Sequence, residues 1–188
     1  GLLHEAEKTV NACLEGFGDN TGAHMIRANI AIERKQPAKA LEHLAIIADQ
    51  RPRDLQFLSL RIEALLKLHR WEDCRQTCRT TLEVDPHNAL AHIGLARSAL
   101  HLDQPEEAME PALAATGFQY GNPRGHFLLG VAWVMQQQWE AATQALGIAT
   151  RLAPHFYPAW RYLALALRRL GKLDAADGAL IKLKLLRD

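Results

Sequence analysis

Residues Pro123–Phe156 read PRGHFLLGVAWVMQQQWEAATQALGIATRLAPHF, and this stretch of 34 residues decides the fold. Its landmarks are His126, Leu129, Gly130 and Trp133, then Trp139, Ala142, Leu146 and Ala149, then Pro154. The next 34 residues repeat the pattern with Trp160, Leu163, Ala164 and Leu167, then Gly171 and Leu173, then Ala176, Leu180 and Leu183. Apolar residues recur at helical spacing in two runs separated by a short polar break. Each stretch therefore reads as two helices joined by a tight turn.

Counting outward at the same stride sets starts at Thr21, Leu55, Ala89, Pro123 and Tyr157, with no insertion. The twentieth position is Ala40, Cys74, Ala108, Ala142 and Ala176; the eighth is Ala28, Ile62, Ala96, Gly130 and Ala164. Both positions lie where the two helices of a unit cross, and small side chains let the axes approach to about 8–10 Å. Ile62 departs from this rule and predicts a splayed crossing in the second unit. Pro52, Pro86 and Pro154 close the second helices, because proline cannot continue one. Tyr120 breaks that series within a Gly-Asn-Pro-containing turn.

The expected helices are 2–14, 21–34, 37–50, 54–69, 71–84, 89–102, 105–116, 124–137, 139–152, 157–170 and 174–186. Pro105 suits a first helical turn, whereas Pro111 is expected to kink or shorten its helix. Asp174 is placed to cap the last one. Counting back from Thr21 puts Leu3, Ala6, Val10 and Cys13 at second-helix positions, so 2–14 reads as the second half of a truncated unit. The C-terminal helix carries Leu180, Ile181, Leu183, Leu185 and Leu186 on more than one face, without the polar cap a repeat array needs. The expectation is a single array over 1–188: half a unit in 1–20, then 21–54, 55–88, 89–122, 123–156 and 157–188. It is further expected to be a piece of a larger protein.

These residues resemble the tetratricopeptide repeat, a helix–turn–helix unit of about 34 residues with small residues at its eighth and twentieth positions. The resemblance covers nearly the whole chain. It implies an all-α, right-handed superhelical solenoid whose first helices line a concave groove. It also implies that the second, fifth, ninth, twelfth and thirteenth positions of each unit face a ligand. The middle of that groove is then apolar, with Ile93, Leu100, Phe127, Val131 and Val134; Arg97 stands among them, and Arg161, Arg168 and Arg169 make the C-terminal end basic. The expected function is a non-catalytic scaffold that binds a protein or peptide with an apolar face and an acidic flank. Two other readings stand beside it. One is the regulatory or assembly segment of a larger transferase or hydrolase; the other is a self-association module forming a homodimer through its uncapped ends.

Other chemistry has little support. Some members of the family grip a C-terminal carboxylate with a fifth-position lysine and asparagines at the sixth and ninth positions. Here only Asn29 fits. His24, His92 and His126 share the fourth position, often tryptophan in the family, and are expected to fill that slot as flat rings. Cys74 and Cys78 are four apart, on one helical face, but they occupy core positions and read as small hydrophobes rather than zinc ligands. No nucleophile elbow, phosphate loop or metalloprotease motif occurs. No cofactor or metal is expected. The net charge is +1 with 23% charged residues, so nothing favours nucleic acid. No apolar run is long enough to span a membrane. Three cysteines suit a reducing compartment, so a cytoplasmic location is the expectation, with the periplasm left open.

Overall fold

A computed structural model of the protein describes residues 21–118 and 122–186. The described residues form ten helices: α1 (Thr21–Glu33), α2 (Pro37–Ile46), α3 (Leu55–Lys67), α4 (Trp71–Val84), α5 (Ala89–His101), α6 (Pro105–Phe118), α7 (Pro123–Met135), α8 (Trp139–Leu152), α9 (Tyr157–Arg169) and α10 (Leu173–Leu185). Odd-numbered helices begin at Thr21, Leu55, Ala89, Pro123 and Tyr157, and even-numbered ones at Pro37, Trp71, Pro105, Trp139 and Leu173; both series advance in steps of 34. The expected helix over 2–14, with Ala6, Val10 and Cys13, lies outside the described residues, as does Tyr120.

Two compact units result, and the division falls within α5, between Gly94 and Leu95. In the first unit α1 packs on α2, α2 on α3, α3 on α4, and α1 also touches α3. Its core is built around the fully buried Leu44, Ile47, Phe57, Ile62 and Leu65. In the second unit α6 packs on α7, α7 on α8, α8 on α9 and α9 on α10, with α7 also touching α9. There Ala142, Leu146, Leu163 and Ala166 form a core against which Phe127, Trp133, Trp139 and Trp160 pack. Short connections make successive helices within each unit antiparallel.

The small residues do what their spacing implies. A Cβ on Gly130 would stand 2.5 Å from Cγ and 2.8 Å from Cδ2 of Leu146, so α7 and α8 touch through a bare backbone at this point. Ile62, the large residue at an eighth position, packs inside its unit. It is fully buried, and so is Cys74 opposite it. Its volume is accommodated by Gly94 on α5, where an added Cβ would meet Ile62 Cγ2 at 3.4 Å and Cys78 Sγ at 2.5 Å.

The turn within each helix pair has a common backbone device. Lys35, His69, Asp103, Gln137 and Gly171 all have φ between 57° and 73°, in the left-handed region, again at a stride of 34. The residue after each donates its N–H five residues back: Gln36 to Ala31, Arg70 to Leu65, Gln104 to Ala99, Gln138 to Trp133 and Lys172 to Leu167. This is the Schellman closure of a helix C-terminus. Between pairs, a side chain caps the next odd-numbered helix. Asp54 Oδ1 accepts from Phe57 N at 2.9 Å, Asn88 Oδ1 from Ala91 N at 3.1 Å, and Asn122 Oδ1 from Arg124 N at 3.0 Å. The Phe57 N–H, aided by Arg51, holds the Asp54 carboxyl below the ordinary carboxylate range.

Three local expectations are corrected. Of the kink or shortening expected at Pro111, the shortening does not occur: α6 runs 14 residues like α4 and α8, and although the ring removes one helical donor, the rest of the ladder carries the helix past it. Asp174 does not cap α10, because that helix already begins at Leu173 with Lys172 at its N-cap. Helix α2 stops at Ile46 rather than Gln50. Beyond it, Ile47, Ala48 and Gln50 donate only three residues back, so the chain tightens as it swings the buried Ile47 inward.

Candidate functional site

Helix α9 presents two faces of opposite character. Ala159, Leu163 and Ala166, at spacings of four and three, are buried. Arg161, Leu165 and Arg168, at the same spacings, are exposed. Seven residues of helix place the two guanidinium-bearing positions about 10 Å apart along the axis. Neither Arg161 nor Arg168 makes an ion pair among the described residues. Arg169, also exposed, lies with its guanidinium carbon 5.7 Å from the centroid of the Trp139 ring, within cation–π range.

Beside this basic face lies an aromatic cluster. The Phe127 ring meets Phe156 at 5.0 Å and Tyr162 at 5.7 Å, both edge-on at 72°. Such edge contacts are the favoured geometry of paired rings. Phe156 occupies the position at which Asp54, Asn88 and Asn122 are caps, and it makes no side-chain cap. The fifth unit thus gives up a capping bond and gains a ring against Phe127.

The sequence-predicted residues are distributed unevenly. Ile93 belongs to the first unit and is half-buried. Arg97, Leu100, Phe127 and Val134 are half-buried members of the second. Val131 is only 7% exposed and stands inside the wall of α7 rather than on its surface. Phe127 and Val134 are brought together against the core that α8 and α9 share. Arg161, Arg168 and Arg169 are the fully presented charges. Sequence reasoning did not single out Tyr162, Phe156 or Leu165; the i, i+4, i+7 register of Leu165 with Arg161 and Arg168 was the available signal. It also did not single out a recess of about 230 Å³ in the first unit, lined by Leu41, Leu44, Phe57 and Leu65 with Arg61 and Arg70.

The fourth-position rings behave as wall. His92 Nε2 lies 2.9 Å from the Pro86 carbonyl, and Trp160 Nε1 donates to the Pro154 carbonyl at 2.9 Å, each six residues back. A carbonyl only accepts, so His92 carries its proton on Nε2 and reproduces the indole's bond. His24 is buried, with its Nδ1 3.4 Å from Nδ1 of His43. Burial, with the nearby Arg27 and His24, holds the His43 pKa below its ordinary value; burial does the same to His126. Cys74 and Cys78 are fully buried, with their sulfurs 3.9 Å apart. The Cys74 contact and then burial push the Cys78 thiol far up, so it stays protonated and inert. No group of three potential metal ligands occurs among the described residues. No helix among them is long and apolar enough to cross a membrane.

The family model described as tetratricopeptide repeat matches residues 59–122 and 127–181. No curated protein matches the chain. Among solved structures, MamA (41-end) from Desulfovibrio magneticus RS-1 is 21% identical over 90% of this chain and 96% of its own, with a TM-score of 0.78. YrrB, described as a TPR protein with an unusual peptide-binding site, is 12% identical over 94% and 91%, with a TM-score of 0.71. A tetratricopeptide repeat protein from Parabacteroides merdae is 14% identical over 97% and 73%, with a TM-score of 0.81. At these identities the likeness is one of fold.

Proposed function

Because the chain belongs to the tetratricopeptide-repeat family, we propose that it is a non-catalytic interaction module that holds an apolar peptide with an acidic flank along α7 and α9. The observation that carries this reading is the exposed Arg161–Leu165–Arg168 face, whose two arginines have no ion pair among the described residues. Arginine at a surface without an acid nearby is poised for bidentate bonds to a carboxylate. The half-buried rings of Phe127 and Tyr162 supply adjoining apolar area. Val131 contributes as support behind Phe127, not as a contact. The pieces are prepositioned by the core, so little ordering cost opposes binding. A peptide-binding site in YrrB fits this class of function.

Selection of peptides displayed on phage against the immobilised chain tests the reading. Enriched sequences should pair an aromatic or aliphatic residue with an Asp/Glu flank. Repeating the selection on Arg161→Glu/Arg168→Glu should lose the acidic flank. An unchanged consensus on the variant, or no enrichment on the parent, would exclude the α9 face as the binding surface.

A further inference from the structure

Helix α10 leaves large apolar side chains in solvent. Leu173 is 58% exposed, Leu180 36%, Ile181 61% and Leu185 66%. The residues equivalent to Leu180 on α2, α4, α6 and α8 are Leu44, Cys78, Ala112 and Leu146, and none is more than 1% exposed. Leu180 therefore stands at a position that the other even-numbered helices keep covered, whereas Leu113, the residue on α6 equivalent to Ile181, is also exposed.

Three charges, Asp174, Asp177 and Lys184, sit within this band. At 100° per residue, Asp177 and Lys184 fall on the same stripe, seven residues apart, between Leu173 and Ile181. Both are exposed, and neither makes an ion pair among the described residues. Among the described residues of α10, neither has an oppositely charged residue three or four positions away. The residues three and four beyond Asp177, and those four and three before Lys184, are the same pair, Leu180 and Ile181. Intrahelical ion pairs need opposite charges at those spacings.

We propose that this band is the docking surface for a second copy of the chain, with α10 against α10 in antiparallel register. A twofold axis between Leu180 and Ile181 sets Asp177 of each copy opposite Lys184 of the other. The same axis packs Leu180 of each against Ile181 of the other. The segregation of acid and base along α10 is thus self-complementary only when one helix is reversed, as an isologous interface requires. A parallel mate would face like with like at both charges. The surface is separate from the arginine face of α9, and its test does not depend on peptide binding.

Sedimentation of the 188-residue chain across a wide concentration range reads the equilibrium directly. The parent should move from monomer to dimer as concentration rises. Ile181→Asp should raise the dissociation constant about tenfold or more, as loss of a central apolar contact does. Lys184→Glu should weaken the dimer, and adding Asp177→Lys to it should restore the parent's constant. That rescue separates pairing from the helix dipole, which also favours acid early and base late in a helix. If the charges served the dipole alone, the reversed pair would be the poorest variant and would recover nothing. A parent that stays monomeric throughout, a dimer indifferent to Ile181→Asp, or a double variant without recovery would each overturn the proposal. All three positions are exposed, so far-ultraviolet dichroism should confirm an intact fold in every variant.

Discussion

Replacing Gly130 with alanine tests the packing logic of the whole chain, because local propensity and tertiary contact predict opposite signs. In a helix interior alanine is favoured over glycine by about 1 kcal/mol. The new methyl, however, would stand 2.5 Å from Leu146 Cγ and 3.3 Å from the Leu146 backbone nitrogen. Ordinary carbon contacts lie near 3.5–4.0 Å, so Cγ would have to retreat by about 1 Å. Leu146 is fully buried, so its retreat would press on the core around it. Overpacking of this kind costs about 1–3 kcal/mol, so the net effect should be a loss of up to about 2 kcal/mol. Gly147, one residue beyond Leu146 on α8, is the internal control: nothing lies within 4 Å of its would-be Cβ. Gly147→Ala should therefore gain about 0.5–1 kcal/mol from propensity alone. Urea unfolding followed by tryptophan fluorescence suits the comparison, since Trp133 and Trp139 pack against this core. A third variant, Leu146→Ala, should be less damaging in the Gly130→Ala background than alone, by more than about 0.5 kcal/mol of coupling. If Gly130→Ala gains stability as Gly147→Ala does, close helix approach is not why the eighth position is small.

Lys35→Gly and His69→Gly should each stabilise the protein by about 1 kcal/mol, because both residues hold left-handed backbone that costs a non-glycine residue, and Gly171→Ala should lose a similar amount; thermal melts of the three variants decide it. Stability should also fall in mild acid. The folded-state pKa values of His43 and His126 lie below 6.5, so the unfolded chain binds their protons more tightly; stability is full above about pH 6.5 and declines as pH drops through the depressed values. His43→Gln with His126→Gln should flatten that slope in a urea-midpoint series against pH, and an unchanged slope would assign the effect elsewhere.

The helix starts were legible because landmarks such as Gly130, Ala142 and Pro154 each impose a steric condition that only a few residue types meet, so the stride shows through a single sequence. The left-handed turn was not. Lys35, His69, Asp103, Gln137 and Gly171 share a backbone conformation and no side-chain chemistry, and Gly171 alone hints at it. The relief of Ile62 by Gly94 was also hidden, because it joins an eighth position to a sixth position on the following odd-numbered helix. The candidate site was legible in its charges and less so in its apolar part. Arg161 and Arg168 must face solvent to remain hydrated, so helical register alone exposes them. Val131 lies on a helix apolar nearly all round, where periodicity cannot tell which side is covered.

In the function proposed for the chain, that difference shifts the centre of recognition from α7 to α9. Residues on α7 are held from behind by Leu146 and from the side by Phe156 and Tyr162, so this helix offers shape and little freedom. Residues on α9 combine a buried stripe, which fixes the helix, with an exposed one, which carries the charge. Rigidity and charge therefore come from neighbouring odd-numbered helices. A partner that engaged only Phe127 and Val134 would find half-buried apolar surface with few donors and weak discrimination. One that also placed carboxylates against Arg161 and Arg168 would be selected by direction as well as by area, since those charges lie about 10 Å apart on one helix face.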